Sequence, residues 1–177
     1  MPILTRLLVV FLVLAGTARP AIGASDADKL KVAILYKIMQ FVEWPDDGEA
    51  ATNLPIHLCL LGADPFGGLL GQLEARPVRG RPLRVDYLAN GPSGGTPKCH
   101  VVFISASERP RLAQVIGQLR GNDVLVVSDI DQFTDHGGML GLNVEEGSVH
   151  ININLNNLRK SVVKVSSKLL ELARVER

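Results

Sequence analysis

A chain of 177 residues, 46% hydrophobic and 21% charged, has room for one globular domain with a real core and too little charge for disorder. Lys plus Arg total 19 against 18 for Asp plus Glu, and aromatics reach only 5%, so the composition provides neither a polyanion groove nor a base-stacking platform for nucleic acid. Two cysteines cannot make a zinc framework, although they can pair with each other.

The chain opens with a signal-peptide pattern: Arg6, an apolar run over 7–15, then small residues at Gly16, Thr17 and Ala18. Cleavage is expected near Ala24, or one residue earlier, and no cysteine stands there to carry a lipid. The apolar run is about half of the ~20 residues a spanning helix needs. Residues 1–24 therefore read as a removed leader and 25–177 as one soluble, exported domain. Losing Arg6 and Arg19 leaves 17 basic against 18 acidic residues, an essentially neutral protein.

Lys29 to Trp44 reads as a mostly covered helix with a narrow polar stripe, ended by Pro45. Trp44 and this apolar face make the segment a candidate dimer or partner surface, with packing inside the same domain as the competing account. Ile56–Leu61 is a buried strand ending at Gly62. Asp64-Pro65 then caps a helix carrying Phe66, Leu69, Leu70 and Leu73. A strand is expected over 83–88, a Gly/Pro-rich loop over 90–98, a strand over 100–105, a helix over 107–120 and a strand over 124–128. Strict alternation at Leu140, Leu142 and Val144, a turn at Glu146-Gly147, and alternation again at Val149, Ile151 and Ile153 predict an antiparallel hairpin. Leu155, Leu158, Val162, Val165, Leu169 and Leu172 predict one long final helix. The fold class is α/β: a three-layer sandwich around a mostly parallel sheet, plus the C-terminal hairpin and final helix.

Ligands of such sheets sit at the carboxyl ends of the strands. Those ends hold Asp64, Ser105, Ser107, Ser128 and Asp129, which form a candidate small-molecule site; equally, Asp64, Ser107 and Asp129 suit simple helix capping. No Gly-rich phosphate loop, nucleophile elbow or metal-ligand spacing appears, so the reading is non-enzymatic, without cofactor or metal. His57 and Cys59, two apart on one strand, face the same side, but export favours an oxidised cysteine over a thiolate. If the strands at 56–61 and 100–105 are neighbours, Cys59 and Cys99 can be bridged, closing a loop of about 40 residues worth up to about 4 kcal/mol. The bridge is a structural staple on the first reading and a redox switch on the second. Lys160, Lys164 and Lys168 step by four along the expected final helix, a stripe for an acidic partner or an anionic membrane surface, or simply a solvated face.

Several runs together carry a family resemblance. Ala33-Ile34-Leu35-Tyr36-Lys37, Phe41-Val42-Glu43-Trp44-Pro45, Leu58-Cys59-Leu60-Leu61-Gly62 and Asp64-Pro65-Phe66-Gly67 make the first half. Cys99 to Ser105, Val124 to Asp129, Gly137-Gly138-Met139 and Ser166 to Ala173 make the second. The chain resembles the YfiR family of bacterial periplasmic proteins over about residues 29 to 175. The resemblance implies a periplasmic, non-enzymatic repressor of an inner-membrane diguanylate cyclase, which lowers cyclic-di-GMP and biofilm and is itself sequestered by an outer-membrane-linked lipoprotein. Cys59 and Cys99 match family cysteine positions; a second pair found in some members has no counterpart among two cysteines. Family members also occur beside histidine kinases and outer-membrane receptors. The alternative function is therefore a periplasmic small-molecule sensor working with such a receptor or kinase.

Overall fold

The computed structural model describes residues 25–45, 54–89 and 98–176. The expected leader at 1–24 lies outside the described residues. Helix α1 spans Asp26–Met39 and starts on a capping box: the Ser25 hydroxyl accepts the Asp28 amide, and the Asp28 carboxylate accepts the Ser25 amide. The helix ends at Gln40, earlier than Pro45, because Val42–Glu43 forms a short strand, β1. The other strands are β2 (Ile56–Leu61), β3 (Pro77–Val78), β4 (Arg81–Leu88), β5 (Val101–Ile104), β6 (Leu125–Ser128), β7 (Leu140–Glu145), β8 (Ser148–Asn154), β9 (Lys164–Val165) and β10 (Arg174–Glu176).

Eight of them form one curled sheet in the order β10-β8-β7-β6-β5-β2-β4-β3. The central run β4-β2-β5-β6-β7 is parallel throughout, and the β7–β8 pair is the expected antiparallel hairpin, with Leu142 opposite Ile151. The parallel strands are covered on both faces, which is why they read as unbroken apolar runs. Leu58, Leu60, Val101, Phe103, Leu125 and Val127 point to the α1 side and pack with Val32, Leu35, Ile38 and Met39. Their neighbours Cys59, Leu61, Val102, Ile104 and Val126 point the other way. There they meet Leu112, Val115, Ile116 and Leu119 of α2 (Leu112–Leu119). The architecture is thus the three-layer sandwich anticipated, and each fully buried aliphatic contributes about 1.5–3 kcal/mol to it.

Three predicted helices change form. The segment after Asp64 is a 3-10 helix, Leu69–Leu73, entered through Gly68 at φ 84°, a left-handed conformation that interrupts any helix running from Asp64. The 107–120 segment divides into a 3-10 stretch, Ala106–Arg111, and α2, with Pro110 at the break. The single final helix is a correction: residues 155–176 fold as α3 (Leu155–Arg159), β9, α4 (Ser167–Glu171) and β10. Strand β9 pairs antiparallel with β1, Val42 opposite Val165, and β10 pairs parallel with β8. These long-range pairings override the helical spacing of the apolar residues. Leu158 and Leu169 are buried, while Val162 and Leu172 are more than half exposed.

Candidate functional site

The parallel order reverses between β2 and β5, so the crevice expected for a ligand lies at Gly62-Ala63-Asp64 and Ser105-Ala106-Ser107. Protein groups fill it. The Ser107 hydroxyl accepts the Ala63 amide at 2.9 Å, and a Cβ placed on Gly62, whose φ is +93°, would stand 2.4 Å from that oxygen. The Asp64 carboxylate accepts the amides of Phe66 and Gly68, and Ser105 caps the 3-10 stretch by accepting the Ser107 amide. Ser128 donates to the Ile104 carbonyl at 2.7 Å and accepts the Ile130 amide. Asp129 pairs through Oδ2 with Lys31 of α1 at 2.6 Å. The five strand-end residues share one edge of the sheet, and their polar atoms serve turns, caps and an ion pair. The one exception is Oδ1 of Asp129, buried without a hydrogen-bond partner.

The opposite end of the same strands carries a polar cluster that spacing alone does not reveal. The His57 amide donates to Nδ1 of His100 at 3.0 Å, which puts a lone pair on that nitrogen, and Nε2 of His100 lies 3.2 Å from the Arg81 guanidinium. The His57 ring contacts Asp86 at 2.7 Å and stacks on His100 with centroids 6.0 Å apart. Trp44 packs edge-on against His100 and donates its indole N–H to the His100 carbonyl. Trp44 is 3% exposed, so it serves the interior and offers no surface to a partner. The only hint of this cluster in the sequence was that His57 and His100 both sit at strand starts.

Cys59 and Cys99 are disulfide-bonded, with Cα atoms 5.8 Å apart, and tie β2 to the segment two residues ahead of β5. With Cys59 so engaged, no thiolate faces His57. The lysines expected on one row lie on three different elements: Lys160 caps the end of α3, Lys164 is in β9 and Lys168 in α4, all exposed. They form no common helical stripe.

A pocket of about 140 Å³ opens where α2 ends against the turn after α3. Ile116, Leu119, Val126 and Met139 make its apolar floor, and Arg120 and Lys160 stand at its rim. No helix among the described residues is long and apolar enough to cross a membrane. The sequence model of the YfiR/HmsC-like family matches residues 28–174, nearly all of the described chain, and the chain belongs to that family.

Proposed function

We propose that this YfiR/HmsC-like chain is an exported periplasmic regulator of cyclic-di-GMP signalling that represses an inner-membrane diguanylate cyclase, or a related signalling enzyme, by binding its periplasmic domain. The observation that carries the reading is the family match, which spans both faces of the sandwich and the C-terminal elements. The Cys59–Cys99 disulfide supports it, since such bonds persist in oxidising compartments. The engagement of the strand-end serines and aspartates within the fold supports action by contact more than by chemistry.

Repression by contact requires unequal affinity for the partner's two states, because equal affinity shifts nothing. A preference of about 1.4 kcal/mol changes the ratio of states tenfold. Deleting the gene should raise cyclic-di-GMP and surface attachment, and deleting the partner cyclase as well should cancel the rise. An unchanged cyclic-di-GMP level in the single deletion, under conditions where the protein is expressed, overturns the reading. An outer-membrane lipoprotein that relieves repression would be recognised by restoring cyclase output when overexpressed.

A further inference from the structure

The geometry points to the pocket between Arg120 and Lys160 as a binding site for a small organic monoanion with a flat apolar body, an aryl or cyclic carboxylate in chemical class. An apolar cavity of about 150 Å³ is the size that holds a benzene ring, and this pocket measures about 140 Å³ over the floor of Ile116, Leu119, Val126 and Met139. Its rim carries two cations and its lining no carboxylate. Neither Arg120 nor Lys160 has an ion-pair partner among the described residues. The Arg120 guanidinium lies beside Gly137 at the pocket wall, with Nη2 3.5 Å from where a Cβ there would stand.

The neutral polar residues of the lining are already engaged. Asn157 donates to the carbonyls of Thr134 and Gly138, and Ser161 donates to the Leu158 carbonyl. The side-chain donors left over in the lining are therefore those of the two cations, and Arg presents a forked donor suited to a carboxylate. The same arrangement selects against an ammonium, which would meet two like charges and no acid. The site is separate from the strand-end crevice and does not depend on the cyclase reading, since a repressor and a stand-alone sensor can each carry it.

The test is titration of the full mature chain at constant ionic strength with benzoate, benzamide and benzylammonium, followed by backbone amide NMR. Benzoate should bind saturably, with shift changes centred on residues 119–121, 137–139 and 157–161. Benzamide should bind about tenfold more weakly or worse, since it forgoes the charge-assisted bonds, and benzylammonium should not bind. Arg120→Gln with Lys160→Gln should remove the preference for benzoate while leaving the thermal midpoint unchanged, both side chains being exposed. No saturable benzoate binding, equal affinity for benzamide, or shifts centred elsewhere would each overturn the assignment, and the mapping on unmodified protein stands even if the variants fold poorly.

Discussion

Trp44 donates its indole N–H to the main-chain carbonyl of His100 across 2.9 Å, and the same oxygen accepts the Leu125 amide at 2.9 Å. One carbonyl thus ties the segment after α1 to the β5–β6 pair, beside the disulfide at Cys99. Trp44→Phe keeps most of the buried area and leaves that oxygen with its second donor, so it should cost about 1 kcal/mol. Trp44→Ala also opens a cavity and should cost about 3–5 kcal/mol. Urea midpoints of the two variants separate the contributions; equal losses would mean that packing around the indole is unimportant.

The disulfide should be a staple rather than a condition for folding. Cys59 is fully buried and the bridge closes a separation of 40 residues, worth up to about 4 kcal/mol through the unfolded chain. Both apolar layers remain when it is reduced, so the reduced protein should melt lower yet cooperatively. Purified mature protein, denatured without reductant, should show no free thiol. Quantitative labelling of both cysteines would contradict the pairing, and a non-cooperative melt after reduction would contradict the staple role.

Gly138 has no room for a side chain. A Cβ there would lie 2.2 Å from the Phe133 ring, and Phe133 is 1% exposed, boxed in by the α2 layer. Gly138→Ala should therefore cost about 1–3 kcal/mol by overpacking. Adding Phe133→Leu should recover part of the loss, so that the double variant is more stable than additivity of the single losses allows. Strict additivity in chemical denaturation would show that the clash is relieved some other way.

The parallel strands were legible because burial on both faces writes itself as continuous apolar sequence, as at Val101–Ile104, where all four residues are buried. The hairpin was legible because alternation and Glu146-Gly147 agree. Residues 155–176 depart from the expected helix because helical spacing is a local signal, whereas β9 forms against Val42–Glu43, 121 to 123 positions away. The start of α1 has a local signature in Ser25 and Asp28, three apart ahead of an apolar run. At the strand ends, residue type alone suits both helix capping and ligand binding. Whether such groups bind each other or a ligand depends on three-dimensional closure, such as Ser107 reaching Ala63. The pocket at Arg120 joins residues from three separate stretches and has no sequence signature.

Acid should loosen the C-terminal edge first. The Arg174 guanidinium donates two bonds to Glu145, at 2.8 and 2.7 Å, and holds the Glu145 carboxyl below its ordinary value. A carboxylate with a lowered folded pKa adds stability that is complete above its unfolded pKa and is lost as the pH falls through the folded one. Its contribution should thus disappear between the ordinary glutamate range and the lower folded value. Hydrogen exchange of β10 amides measured from neutral pH downward should speed up across that window, and Glu145→Gln should abolish the step. The effect is small, the pair being exposed. An unchanged step in Glu145→Gln would assign it to another carboxylate.

Asp129 decides between a structural and a ligand-binding edge. Its Oδ2 meets the Lys31 ammonium at 2.6 Å, with the two side chains 10% and 12% exposed, and this pair fastens α1 to the end of β6. Removing the cation by Lys31→Met leaves a nearly buried carboxylate alone and should cost about 3–5 kcal/mol. Asp129→Asn should cost less, because Lys31 keeps the Asp28 carboxylate at 3.8 Å. The double variant Lys31→Met/Asp129→Asn should be more stable than the sum of the single losses predicts, with a coupling of about 1–3 kcal/mol. Unfolding in urea at neutral pH measures all three. Additivity within about 0.5 kcal/mol would show that the pair is not coupled in the fold, and the carboxylate, with Oδ1 already unpartnered, would then be available to bind a ligand at the sheet edge.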